Sequence, residues 1–190
     1  METTPITINL GTCNDLPFVV ALDQDTPHVQ IGGPGYIYLF EHIMEDLMDN
    51  YTPREISILT IGDKPSSVFS TTSSYMDYVQ TADWSGDATA YATEVIESRL
   101  GLFEHDTVAN NRAFADRVSE LPRVIIFTDT WDESLQSVLT LGGLVGIHIV
   151  AGREADVSDE FLDASLAVDA ESYRDGVVTV DGSSSFVRWR

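Results

Sequence analysis

Residues 29–40 read VQIGGPGYIYLF. Val29 and Ile31 lead into Gly32, Gly33, Pro34 and Gly35, and apolar residues at 36, 39, 40, 43, 44 and 47 then recur at helical spacing. A strand, a glycine turn and a helix in that order are how a phosphate-binding loop begins, because turn amides and a helix N-terminus both favour an anion. A working loop follows G-x-x-x-x-G-K-[ST], where the lysine neutralises phosphate oxygens and the hydroxyl holds magnesium. Here position 36 is tyrosine, no lysine is near, and Pro34 has no amide hydrogen to offer. Relative to that pattern the loop is short by about three residues. On its own residues the stretch is either a phosphate loop without its chemistry or a glycine-rich structural turn.

Working outward, segments 5–10 and 17–22 are β-branched or apolar runs separated by Gly11, Asn14 and Asp15, which predicts an N-terminal hairpin. A short strand over 28–31 and a helix over 36–48 follow. Thr52, Pro53 and Glu55 mark a turn, and ISILTI (56–61) reads as a buried strand. The stretch 63–85, rich in Ser, Thr, Asp and Tyr, reads as mostly loop with a short helix or strand. Helices are predicted over 87–103, 107–119 and 132–142, and buried strands over 123–129 and 146–152. GVVTV (176–180) and SFVRW (185–189), joined by Asp181-Gly182, predict a closing hairpin. Apolar strands alternating with amphipathic helices imply a mostly parallel sheet covered on both faces. Ligands of such sheets sit at the carboxyl ends of strands, which here are Gly32–Gly35, Gly62–Lys64, Asp129–Asp132 and Gly152–Glu154.

The chain has 190 residues and is 43% hydrophobic, enough for one good core. No apolar run is long enough for a transmembrane helix, and no secretory signal pattern opens the sequence. The expectation is an intracellular, cytoplasmic protein without a membrane association. Cys13 is the only cysteine, which excludes an internal disulfide and a cysteine-based zinc site. Asp and Glu total 31 against 10 Lys and Arg, a net charge of −21. Such a field repels phosphate backbones and opposes direct nucleic-acid binding. It fits either the solvated surface of a protein from a salt-rich cytoplasm or a face for a cationic partner.

VIIFTD (124–129) ends an apolar strand on Asp129, where an acid can hold magnesium through water. The glutamate that polarises water in hydrolytic sites is replaced by Thr130, which is no general base at neutral pH. The alternative role for the aspartate is to cap the next helix. His28, His42, His105 and His148 are scattered, nothing groups them as ligands, and His148 reads as a hydrogen-bonded core histidine. Trp131, just past a strand end, is a candidate for exposed contact, with burial the competing reading.

Taken together, FVVALDQDTPHVQIGGPG (18–35), YTPREISILTIGD (51–63), EVIESRLGLFEHDTVANNRAFADRV (94–118), LPRVIIFTDTWDE (121–133) and GGLVGIHIVAGRE (142–154) resemble, in order, the segments of an FtsK/SpoIIIE-family domain. The motor ATPases of type VII secretion carry similar domains. The resemblance implies an α/β, RecA-like three-layer domain with a mostly parallel central sheet and β-hairpins at both termini. It makes 1–190 one such domain, with 1–26 as the N-terminal hairpin and 166–190 as C-terminal strands. It further implies ring-forming subunits with nucleotide between neighbours. Carried over by position, Gly32, Gly33, Pro34, Gly35 and Tyr36 form a degenerate nucleotide-binding loop. Asp129 and Thr130 are a Walker B remnant, and Arg153, preceded by Gly152 where a polar sensor is expected, is a sensor-region remnant. The expectation is a catalytically inactive domain acting as a binding, regulatory or assembly module, with no resident cofactor beyond weak ATP/Mg binding at the Gly33–Gly35 amides. Its partners would be its own copies, another protein, or an active motor of the same family. The alternatives are a subunit of a DNA- or protein-translocating ring with residual nucleotide binding, and a phage or plasmid structural protein reusing the fold.

Overall fold

The computed structural model describes residues 5–23, 26–63, 65, 67–68, 79–81, 87–104, 120–130, 135–153, 165–180 and 183–189, with the backbone alone at 79–81, 87–89, 92, 102–104, 137, 153, 165 and 180. The strands are β1 (Ile6–Cys13), β2 (Leu16–Leu22), β3 (His28–Gly32), β4 (Ile56–Ile61), β5 (Val79–Thr81), β6 (Arg123–Thr128), β7 (Ile147–Arg153), β8 (Ser165–Asp169), β9 (Asp175–Val180) and β10 (Ser183–Arg188). The helices are α1 (Tyr36–Asn50), α2 (Asp87–Glu104) and α3 (Gln136–Val145). The helix expected over 107–119 lies outside the described residues, as do Lys64, His105, Trp131, Asp132, Glu133 and Glu154.

The strands form one sheet in the order β2-β1-β10-β9-β8-β3-β7-β6-β4-β5. From β8 to β5 every neighbouring pair is parallel. From β8 to β2 every pair is antiparallel. Alternation along β6 assigns the two faces: Ile125 and Phe127 join the core under α1, whereas Val124 and Ile126 join the core under α2 and α3. Helix α1 buries Tyr36, Leu39, Phe40, Ile43, Met44, Leu47 and Met48, an apolar stripe whose side chains contribute about 1.5–3 kcal/mol each when removed from water.

The N-terminal hairpin turns at Asn14 and Asp15, with φ of 51° and 65°, the left-handed pair that a two-residue hairpin loop demands. Gly11 is not part of that turn. It lies inside β1, where the register with β2 shifts between Asn9 and Thr12, and its φ is +117°. It is a bulge residue, and a side chain there would run into the Arg188 carbonyl of β10. Val79–Thr81 is a short strand in the stretch read as mostly loop with a short helix or strand, and it pairs parallel with β4. One strand differs from the sequence reading: Ser165–Asp169, within the closing strands, joins the parallel sheet beside β3. SLAVD is a short segment without turn signals of its own, and its strand character comes from two neighbours supplied by distant sequence.

Candidate functional site

Parallel pairing brings the carboxyl ends of six strands to one edge. Gly32 of β3 lies in register with Arg153 of β7 on one side and Asp169 of β8 on the other, and Ile61 of β4 pairs with Thr128 of β6. The glycine loop, Asp129, Thr130 and the backbone of Arg153 therefore share that edge. The Arg153 side chain lies outside the described residues.

The glycine loop closes on the chain that follows β8. Ala170 N–H donates to the Gly32 carbonyl at 2.8 Å, and Gly35 N–H donates to the Ala170 carbonyl at 2.9 Å. Gly33 has a φ of +91°, and a Cβ there would stand 2.6 Å from the Ala170 carbonyl oxygen and 2.8 Å from Asp169 Oδ1. A Cβ on Gly35 would collide with the Ser172 carbonyl and stand 2.9 Å from that of Ala170. The glycines thus let one backbone lie directly against another. Helix α1 starts from Gly35 without a side-chain cap and without an acid in its first turn. Tyr36, where the resemblance looks for a lysine, is buried at 3% exposure and meets Phe40 edge to face at 5.5 Å. Both rings fill the space over Gly152, where a Cβ would come within 2.5–2.6 Å of them.

Beside this, the Asp129 carboxylate lies over Gly62, whose φ of +103° and missing side chain make room for it. Thr128 Oγ donates to the Thr130 carbonyl at 2.6 Å, and Thr130 N–H donates back to Thr128 Oγ at 3.2 Å, so Thr130 sits in a turn closed by the preceding hydroxyl. Among the described residues no group of three or more His, Cys, Asp or Glu is arranged to hold a metal ion.

The opposite, amino edge gathers three of the buried polar side chains, His28, His148 and Arg99. His28 Nδ1 accepts the Ile149 N–H at 3.0 Å while Nε2 faces the Leu139 carbonyl at 3.1 Å, and His148 Nδ1 faces the Pro27 carbonyl at 2.9 Å. These partners set the tautomers: Nε2–H on His28 and Nδ1–H on His148. Burial lowers both pKa values to about 4, partly opposed by those carbonyls. His148 is thus the hydrogen-bonded core histidine that its apolar strand suggested, and His28 is a second one. Arg99 of α2, 8% exposed, donates Nη1–H to the Val145 carbonyl and Nη2–H to the Pro122 carbonyl, both at 2.7 Å. It closes the C-terminus of α3, where Gly146 is left-handed at φ 72° and lies against the Arg123 guanidinium. Burial and the neighbouring Arg123 lower the Arg99 pKa from its usual value. The sequence reading missed Arg99; its one available signal was a cation on the otherwise uncharged side of an amphipathic helix.

No protein-family model matches the chain, and no curated protein matches it in sequence. Solved structures do. EccC of Thermomonospora curvata (ATPases 2 and 3, in complex with a signal sequence peptide) is 15% identical with a TM-score of 0.68, over 98% of this chain and 40% of that one. EssC of Geobacillus thermodenitrificans (ATPases 2 and 3) is 14% identical with a TM-score of 0.64, over 98% and 41%. The cytoplasmic domain of EssC is 16% identical with a TM-score of 0.62, over 99% and 43%. This chain spans less than half the length of each. Among the described residues no helix is long and apolar enough to cross a membrane. At these identities the likeness is one of fold: the chain shares the mixed α/β fold of the EccC and EssC ATPase domains.

Proposed function

We propose that this chain is an FtsK/SpoIIIE-like, RecA-like domain that does not hydrolyse ATP and serves as a binding, regulatory or assembly module. The observation that carries the reading is the closed glycine loop. Its Gly35 amide is committed to the Ala170 carbonyl, and the space before Gly33 and Gly35 is filled by the backbone of 170–172 and the Asp169 carboxylate. A fold of this type implies a magnesium nucleotide, and the residues present do not fit one. A carboxylate and carbonyl oxygens face the loop where a phosphate needs donors, Tyr36 is packed inward, and Thr130 stands in the place of a base. Losing one transition-state donor costs about 3–4 kcal/mol, a factor on the order of 10²–10³ in rate, so losing lysine, hydroxyl and base together leaves no useful turnover. Titration calorimetry with Mg-ATP tests this. The expected result is no saturable heat below about millimolar nucleotide, and a micromolar dissociation constant overturns the reading.

A second reading, a subunit of a translocating ring, draws support from the fold shared with EccC and EssC. Solution scattering that gave a hexameric ring, formed only with nucleotide, would favour it over the first.

A further inference from the structure

Next to the closed loop, two tyrosines face water. Tyr38 of α1 is 49% exposed and Tyr173, in the turn between β8 and β9, is 58% exposed, and their rings meet edge to face at 6.0 Å. The Arg174 guanidinium lies 5.0 Å over the Tyr173 ring. The turn is braced from several sides. Ser172 N–H donates to the Asp175 carbonyl at 3.1 Å and Ser172 Oγ to Asp175 Oδ1 at 2.7 Å. Trp189 donates its backbone N–H to the Arg174 carbonyl at 2.9 Å and its indole N–H to the Tyr173 carbonyl at 3.1 Å. Rigid tyrosines beside an arginine have the composition of a binding hot spot, and a braced frame loses little conformational freedom when it is covered.

The water-facing stripe of α1 begins at Tyr38 and continues through Glu41, Glu45 and Asp49, all exposed and all on one side of the helix. The helix contains no lysine or arginine to answer them. We propose that Tyr38, Tyr173 and this stripe form a docking surface for a basic amphipathic segment of a partner protein. An apolar or aromatic side chain of that segment packs on the two tyrosines, and its lysines or arginines, at helical spacing, face Glu41, Glu45 and Asp49. The inference rests on the reading as a protein-binding module and gives the partner its chemistry. The net charge of −21 attracts cations everywhere, whereas the tyrosine pair gives the contact a place.

The test is selection of a displayed library of helical peptides on the whole protein at about 0.3 M salt, where unspecific attraction is screened. The expected winners combine an apolar anchor with basic residues at helical spacing. Tyr38→Ala and Tyr173→Ala, both at exposed positions, should weaken a winning peptide by about tenfold or more. Neutralising the exposed Asp15 and Glu120, far from the stripe in sequence, should leave binding within about twofold. Winners that bind the tyrosine variants as well as wild type, winners without basic residues, or no winners at all overturn the proposal. None of these outcomes bears on nucleotide, and a micromolar Mg-ATP constant would overturn the inactive reading whatever the peptides do.

Discussion

The two edges of the parallel sheet solve opposite problems. At the carboxyl edge, Gly33, Gly35, Gly62 and Gly152 remove side chains so that a carbonyl, a carboxylate or a ring can occupy the space. At the amino edge, His28, His148 and Arg99 bring polar side chains into the core and spend them on backbone groups. Glycines at a strand end invite a reading as a ligand loop, and buried histidines invite a reading as catalysts. Here the first leave room for neighbouring backbone, carboxylate and rings, and the second hydrogen-bond to backbone groups. Residue type at a strand end does not decide between chemistry and structure; what fills the adjacent space does.

The sharpest way to break the comparison is Gly35→Ala. Its φ of −87° suits any residue, so the whole effect is contact. The new Cβ would meet two backbone carbonyls, which unlike a flexible side chain cannot turn away. We expect a loss of about 3 kcal/mol in urea denaturation, at the upper end for overpacking. A loss below about 1 kcal/mol would mean that the loop is not clamped and would reopen it as a ligand cradle.

That clamp was the part of the site the sequence could not show. Strand ends were legible because apolar runs such as ISILTI and RVIIFT are continuous and bounded by turn residues. The placement of Gly32, Asp129 and Arg153 at one edge followed from parallel topology. The partner of the glycine loop did not, because Ala170 and Ser172 lie far along the chain and reach it only after β8 pairs with β3. Gly11 was misread for a related reason: its neighbours Asn14 and Asp15 are true turn residues, while its own φ answers to β10. His28 read only as one of four scattered histidines, because it is the tertiary structure that places Leu139 and Ile149 around it.

The amino edge can be tested by pH. Both histidines have folded-state pKa values lowered to about 4, against 6.5 for the free group, so the folded state holds fewer protons than the unfolded one between those values. Stability from this source is fully present above about pH 6.5 and is lost as pH falls through 4. At pH 5 each histidine should cost about 2 kcal/mol relative to pH 7. Protonation of carboxylates acts in the other direction by relieving self-repulsion in a chain of net charge −21, so the comparison must be between variants. His28→Gln keeps an acceptor and a donor on the side chain and does not titrate. Urea midpoints at pH 7 and pH 5 should lie closer together in this variant than in wild type, and an unchanged spacing would remove His28 from the acid response.

Arg99→Met tests the same edge without titration. The thioether can fill part of the volume, while the carbonyls of Val145 and Pro122 lose their donors and the C-terminus of α3 loses its cation. The expected loss is about 2 kcal/mol, independent of pH from 5 to 7. A pH-dependent loss would instead join Arg99 to the histidine response through its neighbour Arg123.

The smallest effect has the opposite sign and isolates what the edge glycines are for. Gly101 lies inside α2, and a Cβ there meets nothing within 4 Å. Its missing side chain serves no close approach, so only the backbone entropy of glycine in a helix remains. Gly101→Ala should therefore stabilise the protein by about 0.5–1 kcal/mol, read as a rise in the urea midpoint at constant slope. Measured beside Gly35→Ala, it holds the chemical change fixed and varies only the surroundings. If both substitutions moved stability in the same direction, clearance would not be the property that distinguishes the glycines of the carboxyl edge from glycine elsewhere in the chain.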